Sequence, residues 1–473
     1  MKRIIKKTAA VSILLLLVVF GCTPKKQVQT EKVSKVSGKP NIIFILADDL
    51  GYGDLAGYYG GKADTPNLNR LAQEGMLFTD FHSNGPMCSP TRAALMTGRY
   101  PQRLGIEDAL STDWTDEGIG SKANSNEKTI AHYLKEIGYE TAIYGKWHLG
   151  KAPVANPVRY GFNEFRGLTC GSGDYFSKMD RNGYRDWWHN EGLEFQEGYA
   201  THVITDNAVQ FIKKNNDQPF FLYVAYSAIH FPWQRAQDHD LEIVREGEDY
   251  TSIQPGPKSK LGPHQPEKIP SVLINMVEEL DQGVGKIMEG IRKNGLAENT
   301  LVFFTSDNGS YLQYSEELWP SVGSNGPLRG QKGMLYEGGH RVPAIAWWPG
   351  KIPALSVSDE TAMTFDLFPT VMDLLAIPVP TTGSKNALDG KSILPLLTKE
   401  DTLTDRTLYW KIEDLKAVRE GKWKLIVNEN NSSELSNLNN DIGEQIDLSS
   451  ENPEVVGALT NKLMAWEADV NVK

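Results

Sequence analysis

The chain has 473 residues, of which 40% are hydrophobic and 23% charged. That is ordinary globular composition, long enough for one large domain plus a smaller one, and it excludes a disordered chain. The net charge of -11 argues against nucleic acid as a partner, which needs a basic face, but not against an anion held in a local cationic pocket.

In chain order, the first element is a targeting segment. Residues 1–7 are basic, and the apolar run that follows ends near Phe20, too short to span a bilayer as a mature helix. Val19-Phe20-Gly21-Cys22 resembles a bacterial lipobox. Residues 1–22 are therefore expected to be a signal peptide, with Cys22 lipidated after cleavage. An ordinary cleaved signal peptide is the alternative, because Phe20 is bulkier than the usual small residue there. Residues 23–39 read as a flexible, lysine-rich tether. The expectation is an exported bacterial envelope protein, lipid-anchored in the periplasm or at the outer membrane or cell surface.

Residues 39–49 form a continuous apolar run that ends in Asp48 and Asp49, the pattern of a strand buried on both faces of a parallel sheet. Three further runs behave alike. Residues 141–144 lead into Gly145-Lys146-Trp147-His148, residues 220–226 into Ser227-Ala228-Ile229-His230, and residues 301–305 into Ser306-Asp307-Asn308-Gly309. Each places reactive side chains after the carboxyl end of a strand, where open α/β sheets bind ligands. Helical patterns alternate with the strands. One covers 129–137 and stops at Gly138; another covers 271–294 with Met276, Leu280, Val284, Ile287 and Ile291 on one stripe and Gly295 beyond. The prediction is an α/β fold with a large, mainly parallel sheet sandwiched by helices over residues 40–378.

After Pro378-Val379-Pro380 the texture changes. Short β-like runs at 406–410, 416–419 and 423–427 are followed by a helical pattern over 453–468 carrying Val456, Leu459, Leu463 and Trp466. Residues 379–473 are expected to form a smaller antiparallel sheet plus one helix.

The stretch Cys88-Ser89-Pro90-Thr91-Arg92, followed by Thr97-Gly98-Arg99, carries the most specific chemistry. Pro90 suits a first helical turn, which places Cys88 where a loop meets a helix whose N-terminal amides face an anion. The C-x-P-x-R pattern with its trailing T-G-R resembles the signature of the type I sulfatases, within the alkaline phosphatase superfamily. Gly145-Lys146-Trp147-His148-Leu149-Gly150, residues 328–343 and Asp389-Gly390-Lys391-Ser392 are similar to other segments of that family, so the resemblance runs from about residue 39 to 470. His230 follows Ile229 where the family more often has proline.

The resemblance implies an alkaline-phosphatase-like fold and hydrolysis of sulfate esters. It implies that Cys88 is oxidised to formylglycine by a sulfatase-maturing enzyme, and that one calcium is held by Asp48, Asp49, Asp307, Asn308 and an oxygen of residue 88. Oxygen donors of this kind suit a hard divalent cation. In the implied mechanism a hydroxyl of the hydrated aldehyde, activated by calcium and Arg92, attacks sulfur, while Lys146 adds to the cationic pocket. His230 or Lys332 protonates the leaving alcohol, and His148 takes the proton that lets sulfate depart. Arg92, Lys146, Lys332 and a divalent ion against three carboxylates leave about +2, suited to a sulfate monoester.

Three cysteines are present, Cys22, Cys88 and Cys170, and a Cys88–Cys170 disulfide is the bland alternative for two of them. A phosphohydrolase or phosphonate monoester hydrolase of the same superfamily is one rival function, and a non-catalytic surface glycan-binding lipoprotein another. An exported, tethered enzyme of this family points to sulfated polysaccharides or oligosaccharides. Arg185, Trp187, Trp188 and His189 are candidates for a sugar subsite, with packing as the alternative for the two tryptophans. The long polar loop from Trp233 to Lys268, which includes Arg235, is a candidate specificity segment.

Overall fold

The computed structural model describes residues 38–471, leaving out 58–59, 125–126, 181, 240–243, 246–252, 255–264, 315–320, 380–386 and 400. The expected signal segment, Cys22, the tether up to residue 37 and most of the 233–268 loop lie outside the described residues. Everything described belongs to one compact unit.

Ten strands make the main sheet. Its centre is five parallel strands in the spatial order Thr300–Ser306, Asn41–Ala47, Phe220–Ala225, Glu140–Lys146 and Glu164–Leu168. Ala344–Trp347 runs antiparallel to them at one edge, and beyond it Met76–Phe78 and Ser356–Ser358 run parallel to the centre again. The two-residue strands Trp188–His189 and Gly192–Leu193 finish the other. Because side chains alternate along a strand, the central strand feeds two cores. Ile43, Ile45 and Ala47 pack with helices Pro66–Gln73, Ala200–Lys214 and Ile269–Lys293. Ile42, Phe44 and Leu46 pack with Cys88–Thr97, Ile130–Glu136 and Leu367–Leu374. This is the expected helix-sandwiched, mainly parallel sheet, and the predicted stripe of the long helix from Met276 to Ile291 is buried.

The C-terminal sheet is antiparallel, with strands Thr407–Ile412, Leu415–Glu420, Trp423–Val427 and Ser433–Asn437. Helix Pro453–Val470 covers it through Leu459, Leu463, Trp466 and Val470. The fourth strand has no β-branched or aromatic residue to announce it; register with its neighbour, Leu435 opposite Leu425, places it. The small core under this sheet also contains Ala94 and Tyr100, so the sheet packs against the helix that begins at Cys88 and the turn that follows it.

Candidate active site

Strand register brings the reactive residues level. Ala47 lies opposite Ser306, Leu46 opposite Ala225, and Ala225 opposite Gly145. Asp48 and Asp49, Asp307 and Asn308, Lys146 and His148, and His230 therefore leave the sheet at one edge. The loops are tied there by Asp48 N–H to the Ala228 carbonyl (2.8 Å) and Asp307 N–H to the Ala47 carbonyl (3.2 Å). Two glycines make the approach possible. A Cβ on Gly145, at φ 112°, would lie 1.9 Å from the Ala225 carbonyl oxygen, and one on Gly309 would lie 1.8 Å from that of Gly338. Asp49 (φ 63°) and His148 (φ 53°) are held in the left-handed region, which costs on the order of 1–3 kcal/mol each and concentrates at functional sites.

Cys88 is the first residue of a helix buried on every side. Its Sγ lies 3.4 Å from Asp48 Oδ1 and accepts from Lys332 Nζ at 3.2 Å. Around it three buried ion pairs form: Lys146 with Asp48 (2.6 Å), Lys332 with Asp49 (2.5 Å) and Arg92 with Asp307 (2.8 Å). Arg92 also donates to the Lys146 carbonyl at 2.6 Å. Three cations against three carboxylates balance, as burial requires, since an unpaired buried charge costs several kcal/mol.

Burial and the neighbouring Asp307 push the Asp48 carboxyl up to about 7, despite Lys146 and Arg92. Burial also raises Asp307, but Arg92, Lys146 and Lys332 outweigh it and hold that carboxyl below its usual range. Burial pushes the Cys88 thiol up to about 12, against the pull of Lys146 and Lys332. As an unmodified side chain Cys88 is therefore a neutral thiol at physiological pH, unlike the activated thiolates of cysteine-dependent enzymes.

Burial and the Lys146 charge keep His148 well below the ordinary histidine range, hence neutral. Its Nε2 lies 3.1 Å from the Leu110 carbonyl oxygen, an acceptor only, which places the proton on Nε2. Nδ1 is buried with no hydrogen-bond partner among the described residues and keeps its lone pair. His230 Nδ1 donates to the Phe231 carbonyl at 2.6 Å, and its Nε2 lies 3.8 Å from Asp49 Oδ2. Tyr175 props this loop by donating to the carbonyls of Ser227 (2.7 Å) and His230 (3.0 Å).

The donor set suits a hard divalent cation. Asp48, Asp49, Cys88 and His230 have candidate ligand atoms within 4.8 Å of one another. Asn308 donates its amide to Asp49 Oδ1 at 2.8 Å, while its buried Oδ1 has no partner among the described residues. An orphaned buried acceptor beside paired carboxylates is what a bound cation would satisfy. A second buried cluster, His82, Glu337 and His340, is different in kind. Lys424 Nζ already lies 3.0 Å from both Glu337 Oε1 and His340 Nε2, and Arg419 lies 2.9 Å from His82 Nε2. Protein cations fill the places a metal would take.

The motif residues Cys88, Arg92, Lys146, His148, His230 and Lys332 thus gather with Asp48, Asp49, Asp307 and Asn308 at one sheet edge. The sugar-subsite candidates Arg185, Trp187, Trp188 and His189, and Arg235 of the specificity loop, do not join them; among the described residues none of their hydrogen bonds or ion pairs reaches Cys88, Lys146, His148, His230 or Lys332. Trp187 is buried in the core. Half-buried Trp188 donates to Asp186 at 2.6 Å, and His189 pairs with Arg166 across the strand edge. Arg185 is exposed beside Phe195, and Arg235 is engaged by Asp238. Cys88 and Cys170 are both buried and free, which overturns the disulfide alternative; Cys170 instead donates to the Ser172 carbonyl at 3.0 Å. Tyr175 and Tyr311 escaped the sequence reading. Tyr311 puts its ring centroid 5.2 Å from Lys332 Nζ, and its only signal was an aromatic shortly after the D-N-G strand end.

Comparison with known proteins agrees with this geometry. Residues 40–377 match the sulfatase family, and residues 330–469 match the family described as N-sulphoglucosamine sulphohydrolase, C-terminal. N-acetylgalactosamine-6-sulfatase of Canis lupus familiaris is 38% identical over 402 residues, 81% of this chain and 71% of that protein. Arylsulfatase A of Homo sapiens is 34% identical over 424 residues, covering 82% and 75%. The crystal structure of Ps i-CgsB in complex with k-i-k-neocarrahexaose superposes with a TM-score of 0.77 at 32% identity, covering 90% of this chain and 92% of that one. With one family matched over most of its length and its signature residues clustered at one sheet edge, the chain belongs to the sulfatase family and is a sulfuric ester hydrolase.

Proposed function

We propose that this protein removes sulfate from sulfated polysaccharides or oligosaccharides, using a formylglycine made from Cys88 and one calcium ion. The observation that carries the reading is the setting of Cys88: at a buried helix N-terminus, between Lys332 and Asp48, with its thiol held neutral. A thiol there is a poor nucleophile, whereas a divalent ion added to the three balanced ion pairs around it would make the place cationic enough to receive a sulfate. The carbohydrate class is supported by the N-acetylgalactosamine-6-sulfatase relative and by the neocarrahexaose complex of Ps i-CgsB.

Formylglycine at position 88, installed by a sulfatase-maturing enzyme, would supply as its hydrate a nucleophilic hydroxyl and a second hydroxyl whose deprotonation would let sulfate leave as the aldehyde re-forms. Asp48, Asp49, Asp307, Asn308 and an oxygen of residue 88 would hold the calcium, which would supply Lewis-acid polarisation. The remaining work falls to the chain's own side chains. Lys146 and Lys332 hold the sulfuryl oxygens, and Arg92, fixed by Asp307 and the Lys146 carbonyl, adds charge next to residue 88. His148 Nδ1, with its lone pair free, accepts the proton of residue 88 when sulfate departs. His230 Nε2 or Lys332 Nζ donates to the leaving alcohol.

Export and lipid attachment at Cys22 belong to the same reading, supported by the basic–apolar–cysteine pattern of residues 1–22. Arg185, Trp188 and His189 are proposed for an outlying sugar subsite. The test is sulfate release from a panel of sulfated oligosaccharides, run beside nitrophenyl sulfate and nitrophenyl phosphate. Turnover of at least one sulfated sugar is expected, with the sulfate ester strongly preferred over the phosphate; a preference for phosphate would overturn the reading.

A further inference from the structure

Beyond the reactive centre, the chain leaving the Asp307-Asn308-Gly309 strand end is built as a rigid mount. Ser310 N–H donates to Asn325 Oδ1 (2.9 Å), and the Ser310 carbonyl accepts Lys332 N–H (3.2 Å). The Tyr311 carbonyl accepts Gly323 N–H (2.8 Å), and Gln331 Oε1 accepts both Leu312 N–H (2.8 Å) and Gln313 N–H (2.9 Å). Tyr311 therefore stands on the same tied loop that delivers Lys332. Its ring lies 5.2 Å from Lys332 Nζ, the atom that touches Cys88 Sγ and Asp49.

The aromatic surface continues from there. Tyr311 meets Tyr314 edge to face with centroids 4.9 Å apart, and Tyr314 lies parallel to Phe231 at 6.2 Å. Phe231 directly follows His230 and accepts its Nδ1–H. The three rings are half-buried, and the buried Trp233 meets Phe231 and Tyr314 at 88° and 89°. The arc thus runs from Lys332 to His230, the two candidate donors to the leaving oxygen. An alcohol held between these two donors would meet this arc.

We infer that Tyr311, with Tyr314 and Phe231, is a substrate-binding wall on which the sugar ring bearing the sulfate ester stacks. The inference rests on the proposed sulfatase reading of the same site and names the contact that would select a ring as leaving group. The chemistry is that of a π face, negative at its centre, meeting ring C–H groups made positive by neighbouring oxygens. The phenol itself is not required: burial raises it above the usual tyrosine range, only partly offset by Lys332, so it stays neutral.

The experiment compares Tyr311→Phe and Tyr311→Ala on the best sulfated sugar of the panel, with inorganic sulfate as a competitive inhibitor in the same assays. Tyr311→Ala is expected to raise KM for the sugar about tenfold, the order given by one stacked ring contact. Its inhibition by sulfate should stay within about twofold of wild type, and Tyr311→Phe should behave as wild type. Should Tyr311→Ala not fold, Tyr311→Leu makes the same test, since it keeps bulk and loses the π face. Equal KM values for wild type and Ala would overturn the wall, and so would a Phe variant as impaired as Ala. A parallel loss of sulfate inhibition would also overturn it, by showing that Tyr311 acts through Lys332. Failure of the wild-type enzyme on every sulfated sugar would instead overturn the proposed function, and this inference with it.

Discussion

At the scale of single residues, the site is a set of compensated charges whose removal one at a time should be costly. Lys332 bridges Asp49 and residue 88. Lys332→Ala is expected to lower turnover by ~10²–10³, as loss of one preorganised donor does; turnover equal to wild type would remove Lys332 from the chemistry. Asn308 supplies a buried oxygen with no partner among the described residues. Stripping divalent ions with a chelator should abolish sulfate release, and added calcium should restore it. Asn308→Ala should raise the calcium concentration needed for restoration about tenfold or more, as loss of a supporting ligand does elsewhere. Full activity in the chelated protein would contradict the cation site.

At the scale of elements, much was legible and some was not. The four strand ends could be read because each is an uninterrupted apolar run closed by polar residues, and the parallel register then carries those residues to one edge. The Ser433–Asn437 strand was illegible because its composition is polar. The pairing of each carboxylate with a particular cation was illegible too, since Lys332 and Asp49 lie 283 residues apart. Tyr311 carried no periodic signature, being a half-buried ring in a loop.

The least legible feature joins the main sheet's loops to the C-terminal sheet. His82 and His340 meet at 3.0 Å through their Nδ1 atoms, flanked by Asp80, Glu337, Glu444, Arg341, Arg419 and Lys424. Burial holds His82 below the usual histidine range, and burial together with Lys424 holds His340 well below it. Both are therefore neutral when folded, whereas unfolded they titrate near 6.5. Below that pH the unfolded chain binds protons that the folded chain refuses, so stability falls as pH drops from about 6.5. Each histidine contributes up to about 1.4 kcal/mol per pH unit. Denaturant midpoints measured between neutral and mildly acidic pH should show this slope, reduced by about one proton in His340→Gln; an unchanged slope would contradict the assignment. Lys424→Met, which leaves Glu337 and Glu444 facing each other without their ammonium, should cost about 3–5 kcal/mol at neutral pH.

At the scale of the whole molecule, a net charge of -11 surrounds a pocket in which three buried cations balance three carboxylates. The divalent ion proposed for that pocket would tip it to about +2, so that selectivity for an anion would arise locally, against the sign of the chain. The fold serves this centre from two sides, since the C-terminal sheet shares a core with the helix that begins at Cys88. The proposed chemistry therefore concentrates on one side chain, Cys88. Its most direct test is the mass of the Cys88 peptide from active enzyme, measured together with sulfate release. The peptide should be lighter by the difference between a thiol and an aldehyde, with activity in proportion to the converted fraction and none in Cys88→Ala. Full activity in protein whose Cys88 is an unmodified thiol would contradict it.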